Sequence, residues 1–180
     1  MRLIVGKTIL TQPLLVKMDP RIKTPASGLA EQFRLASEIA EAMNKDFFAI
    51  EAVRSVRAQL KQLKANNGAE ELLERLTSLD AQAALLEGEE QDPHFAPPMS
   101  ASGPKDLTSL NRKLQTLLRV VDGTDAAPTP QALATYRELK KSLQVLLASW
   151  QVLHNRDVAQ LNEALRRSNL AEIRATGSRM

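Results

Sequence analysis

The sequence predicts a mainly α-helical protein: an antiparallel bundle of four main helices and a short fifth, preceded by an N-terminal β-hairpin. Three observations predict this class. Apolar residues recur at steps of three and four over most of the chain after Thr24, the spacing of one helix face. The apolar content is Leu and Ala, with 43% hydrophobic residues but only 3% aromatic ones, which favours helices packed on helices. Residues 3–18 instead read as two short β-branched runs around a tight turn. A length of 180 residues suits one domain, or one domain with an appendage, and is enough for a sizeable core.

The hairpin comes first. Leu3-Ile4-Val5 and Thr8-Ile9-Leu10 flank Gly6-Lys7, and glycine at the first central position suits a two-residue type II′ turn. Pro13 lacks an amide hydrogen, so the second strand must be an edge or be bulged there. Leu14, Leu15 and Val16 are expected to continue that strand until Asp19-Pro20 ends it. Residues 1–23 are therefore assigned to a β-hairpin unit, and 24–170 to the bundle.

Thr24-Pro25 predicts the start of the first helix, with Thr24 as N-cap and proline in the first turn. The apolar series Leu29, Phe33, Ala36, Ile39, Met43, Phe47, Ile50, Val53, Val56, Leu60, Leu63 predicts one helix of about forty residues, about 60 Å long. Asn66-Asn67-Gly68 stops it, with Asn67 or Gly68 in the left-handed cap position. A second helix over 69–87 carries the coiled-coil-like seam Leu72, Leu76, Leu79, Ala83, Leu86, and Gly88 ends it. Residues 89–104 hold four of the chain's nine prolines and are expected to form an exposed linker. The third helix is expected over 105–122, on Leu107, Leu110, Leu114, Leu117 and Val121.

Thr129-Pro130 opens the fourth helix, whose apolar face is Leu133, Tyr136, Leu139, Leu143, Leu146, Trp150 and Leu153. Asp157 is expected to cap a short fifth helix, with Gln160 completing a capping box and Val158, Leu161 and Leu165 as its stripe. Asn169 suits the left-handed C′ position, with Leu170 folding back as its hydrophobic contact. Residues 171–180 are expected to be a frayed tail.

Chemistry is sparse along this pattern. The absence of cysteine excludes disulfides, thiolate metal sites and cysteine nucleophiles. His94 falls in the linker and His154 near the end of the fourth helix, neither with a ligand or catalytic partner at helical spacing. Glu70, Glu71 and Glu74 could be imagined around a metal, but without histidine they read as a solvated acidic face. No phosphate-binding glycine loop, G-x-S-x-G or H-E-x-x-H occurs, and Ser37, Ser55 and Ser142 lie in helices without an activating histidine. A glutamate tuned for acid–base work would need a pocket, which a Leu/Ala bundle gives little reason to expect. The expectation is no catalytic, cofactor-binding or metal-ligating residue, and no enzyme.

Charge is uneven. Residues 1–23 hold five basic and one acidic residue, +4, whereas 69–92 hold eight acidic and one basic, −7. The net +3 is too small to argue for nucleic acid. Arg54, Arg57, Lys61 and Lys64 form a basic stripe late in the first helix without aromatic residues for stacking, so pairing with the acidic second helix is its expected role. No apolar run reaches membrane-span length, and no helix has the one-sided basicity of a surface-lying one. Neither nucleic acid nor membrane is expected as a partner. The N-terminus does not read as a signal peptide, since Gly6, Lys7, Thr8, Gln12 and Lys17 interrupt any apolar core.

The order of elements, with VKMDPR at 16–21, Thr24-Pro25, APTPQALATYRELKKSLQVLLASW at 127–150 and DVAQLNEALRRSNL at 157–170, resembles the C-terminal end of large exported bacterial proteins with BNR-type, sortilin-like β-propellers. Such proteins are often sialidase- or glycosyl-hydrolase-like. The resemblance implies that residues 3–18 are the last hairpin of a β-sandwich, and 1–23 its remnant. It further implies that the chain is a fragment, or a split gene product, of a periplasmic or extracellular protein whose earlier strands lie upstream of Met1. The matching motifs are structural, so no catalytic residue is carried over. The function expected is a non-catalytic structural or protein-interaction module. Its partner would be an upstream sandwich or propeller, or a second copy of the chain bound through the hairpin edge. The alternative is an accessory segment of a glycosyl-hydrolase-like protein whose active site lies in the propeller.

Overall fold

The computed structural model describes residues 1–66, 70–89 and 103–175. A two-stranded hairpin, β1 (Arg2–Val5) and β2 (Thr8–Thr11), precedes α1 (Ala26–Asn66), α2 (Glu70–Glu87), α3 (Leu107–Asp122), α4 (Pro130–Val152) and α5 (Ala159–Arg167). The mainly α class with an N-terminal hairpin is as the sequence predicts. The proposed caps after Asn66 and nearly all of the 89–104 linker, with His94, lie outside the described residues.

Alternation of chain direction can be read from side-chain bonds. Lys64 bonds Asp80 and Arg54 bonds Glu87, so α2 runs antiparallel to α1. The Asn111 amide donates to the Met43 carbonyl and Gln32 to the Val121 carbonyl, so α3 also runs antiparallel to α1, beside its earlier half. α2 and α3 thus occupy one lane in succession along α1, held in line where the Thr108 hydroxyl donates to the Glu87 carbonyl at 2.7 Å. α4 pairs with α3 and returns alongside α1, where the Tyr136 hydroxyl donates to the Glu38 carbonyl. A 41-residue helix can carry two shorter ones because its apolar stripe is continuous, at about 1.5 Å per residue.

The core runs the length of the bundle. Ile39, Val56, Leu60, Leu76, Leu110, Leu114 and Leu165 are almost wholly buried. In the second half of α1 the buried row is Ala42, Asp46, Ala49, Val53, Val56, Leu60, at alternating steps of four and three. This corrects the expected stripe: Phe33 and Phe47 are exposed, as is Phe48. Small residues in that row let α3 approach closely, and the row lies one position from the one that would bury Phe47. Tyr136 and Trp150 are buried as expected.

Several local readings need correction. β2 ends at Thr11 rather than running through Leu14–Val16. Pairing reaches Met1, whose amino group donates to the Gln12 carbonyl at 2.7 Å, and Pro13 has no amide with which to go on. Thr24 does not cap α1; its hydroxyl donates to the Asp125 carbonyl and ties α1 to the α3–α4 loop. Nor does Asp157 cap α5. The backbone stays helical through Leu153–Val158, wound as a π-helix, and no side chain caps α5. Asp157 instead bonds Arg156. Leu153 and Val158 are both buried, and the wider winding brings residues five apart onto the same core face.

Thr129 accepts from the Ala132 amide and caps α4 as expected. Asp106, which the sequence did not single out, caps α3 by accepting from the Ser109 amide, so that helix starts at Leu107 rather than at 105. Asn169 has φ of 58°, and the Leu170 amide bonds the Leu165 carbonyl, closing α5 as expected. The tail is tied down further than a frayed end allows. Ile173 is buried, its amide and carbonyl are both bonded by the Asn162 side chain, and Arg174 exchanges two bonds with the Gln59 amide of α1.

Candidate functional site

Three features stand out from an otherwise ordinary core: the hairpin, a charged ladder between α1 and α2, and one buried carboxyl.

The hairpin pairs Leu3 with Leu10 and Ile4 with Ile9. Gly6 has φ of 62° and Lys7 stays at negative φ, as a type II′ turn requires. Paired residues share a face, so Leu3, Val5 and Leu10 lie on one side and Ile4 and Ile9 on the other. Both sides are open: Leu3 is 52% exposed and Ile4 59%. The apolar surface continues through Leu14, Leu15, Val16 and Met18. Neither strand packs against a helix. Arg2, Lys7, Lys17, Arg21 and Lys23 stud the same segment, Arg21 being bonded to Asp19.

The ladder answers the basic stripe. Glu87 takes bonds from Arg54 and Arg57, and Asp80 from Arg57 at 3.1 Å and Lys64 at 2.7 Å. Burial by itself would raise both carboxyls. Hydrogen bonds from Lys64 and Arg57 outweigh it at Asp80, and those from Arg54 and Arg57 at Glu87, so both titrate below the ordinary carboxylate range. Lys61 lies outside the ladder and is exposed, as are Glu70, Glu71 and Glu74. The acidic face is solvated, as expected.

Asp46 was not singled out by the sequence. It is fully buried, and neither carboxyl oxygen has a hydrogen-bond partner. Burial pushes its carboxyl up to about 7; the Asn111 amide nearby opposes this and the Asp106 charge adds to it. The only advance signal would have been a polar residue in register with Ala42, Ala49 and Val53.

His154 stacks obliquely on Trp150, with ring centroids 5.4 Å apart, and its Nδ1 meets the Asn155 side chain. Among the described residues no three His, Asp or Glu side chains group to hold a metal, and no helix is long and apolar enough to cross a membrane.

One further contact fixes the α2–α3 joint. Gly88 has φ of 80°, and a Cβ there would collide with an Asp106 carboxyl oxygen. Gly88→Ala is expected to cost about 1–3 kcal/mol, from left-handed strain and collision together. Urea unfolding checks it; a loss under about 0.5 kcal/mol, as for an ordinary surface site, would mean that the joint is looser than drawn.

Fold and surface together define a class: a helical bundle that carries an uncovered, two-faced β-hairpin. Comparison with known proteins assigns no family to it, since no family model, curated protein or solved structure matches the chain.

Proposed function

We propose that this chain is a non-catalytic interaction module whose hairpin joins the β-sheet of another polypeptide. The observation that carries the reading is the hairpin itself: apolar on both faces, with both backbone edges free and no contact between its strands and the helices among the described residues. A two-stranded hairpin is marginal in water and gains most by pairing an edge and covering its faces. Apolar residues on both faces suit a strand pair inside a sheet covered on both sides. A lipid surface would leave the free edges without hydrogen-bond partners. The β-sandwich of a propeller-bearing exported protein is the sheet suggested by the resemblance of residues 16–25, 127–150 and 157–170. In that setting any sugar chemistry belongs to the propeller.

The test uses the full chain and an Ile4→Lys/Ile9→Lys variant. Without its sheet, the wild-type hairpin is expected to self-associate, giving a mass above the monomer by light scattering. The variant should be monomeric, with an unchanged melting temperature because the hairpin supports no helix. A wild type that stays monomeric at the highest attainable concentration counts against the reading, as does a variant with a markedly lower melting temperature. Binding of the wild type to anionic vesicles would replace the sheet with a membrane.

A further inference from the structure

We infer that Asp46 is a proton-sensitive latch at the joint between α2 and α3: the joint closes over a neutral carboxyl and loosens when that carboxyl is ionised.

Asp46 sits mid-way along α1, between Arg54, which holds the end of α2 through Glu87, and Met43, whose carbonyl accepts from Asn111 of α3. The lane beside α1 passes here from one helix to the next. Among the described residues the joint is made by the Thr108 hydroxyl on the Glu87 carbonyl, by Gly88 flat against Asp106, and by Asp106 capping α3. Among the described residues, the first turn of α3 is secured by these contacts and by Leu107 and Leu110 in the core.

The surroundings offer the carboxyl little compensation: the Asn111 amide opposes the effect of burial without cancelling it. From α3, Asp106 faces it with like charge and Asn111 with an amide already donating to Met43; Arg112 and Lys113 flank Asn111 without bonding Asp46. At the end of α2, Glu87 is engaged with Arg54 and Arg57. α4 contributes the buried Leu139, Leu143 and Leu146, while its Lys140 and Lys141 are near Glu38 and Glu138. An ionised carboxylate in such a place lacks both water and partner, and the cheapest relief is to let water in. The element that gives way is the first turn of α3, whose cap Asp106 is the like charge acting on Asp46.

The sign follows from linkage. The group is held neutral in the closed state to about pH 7, but ionises near its ordinary value of 3.8 once exposed. Between those values the closed joint binds a proton that the open joint lacks. Opening therefore becomes more favourable, by up to tenfold per pH unit, as pH rises from about 4 to about 7, and levels off above.

Two measurements on the full chain test this. Carbon-detected NMR titration of the Asp46 carboxyl should give a midpoint near neutrality; one near 4 overturns the latch. Amide hydrogen exchange, corrected for its intrinsic pH dependence, should show opening at Leu107–Leu114 and at 42–50 of α1 growing by orders of magnitude between pH 4 and pH 7. Asp46→Asn should flatten that rise. A rise that persists in the variant or is absent from the wild type overturns it too, as does protection at Leu107–Leu114 as high as at Leu76 and Leu165, since that would mean exchange by global unfolding alone.

Discussion

Leu110→Ala is expected to lower the unfolding free energy by about 2–5 kcal/mol. Leu110 is wholly buried near the start of α3, where that helix meets α1 and α4. Truncation removes the transfer energy of three carbons and leaves a cavity that two long helices cannot close, since neither bends independently of its other contacts. The equivalent change at Leu143 or Leu146 of α4, 5% and 8% exposed, should fall in the same range, nearer its lower end. Val145→Ala, one position away and 65% exposed, should change stability by no more than about 0.5 kcal/mol. Urea midpoints with unchanged slopes decide the matter. Leucine losses no larger than the Val145 control would mean that the core is not where the structure places it.

Breaking the ladder is the second large effect. Glu87→Ala leaves Arg54 and Arg57, which share its carboxylate, with one acidic partner fewer at a site where the glutamate side chain is 10% exposed. Removing one member of a fully buried pair costs about 3–5 kcal/mol. Here Arg57 keeps Asp80 and the arginines are partly solvated, so about 1–3 kcal/mol is expected. Lys61→Ala, on the same helix but outside the ladder, should be near neutral.

The ladder also sets the acid limb of stability. Asp80 and Glu87 titrate lower in the folded chain than when unfolded, so their contribution is complete above their unfolded values and is lost as pH falls below about 4. Asp46 acts in the opposite direction, its buried carboxyl eroding stability between about pH 4 and pH 7. Stability should therefore peak in mildly acid solution. Glu87→Ala should flatten the acid limb and Asp46→Asn the other. A wild-type maximum at or above pH 7 would show that burial does not hold the Asp46 carboxyl protonated in the folded chain.

The pattern of residues by itself determined the helices and most of their ends. Leu, Ala and Val at steps of three and four bury one face whatever the partner, so α2, α3 and α4 lie where periodicity places them. Thr129-Pro130, Gly88 and Asn169 act through local backbone chemistry and behave as their types dictate. The pairing of Arg54, Arg57 and Lys64 with α2 was legible too, because a basic stripe followed by an acidic helix has one cheap arrangement.

Tertiary structure decided what depends on which neighbour arrives. Periodicity cannot separate the row through Phe47 from the one through Asp46, since they lie about 100° apart on a broad face. Packing of α3 beside Met43 chose the latter and buried a carboxyl. Thr24 and Asp157 carry capping chemistry, but one was drawn to a distant carbonyl and the other left inside a continuous helix whose π-turn keeps Leu153 and Val158 in the core. The succession of α2 and α3 along one lane follows from contacts between residues far apart in sequence. The hairpin is legible locally, through Gly6 and its flanking strands, while its exposure on both faces emerges only once the bundle is complete without it.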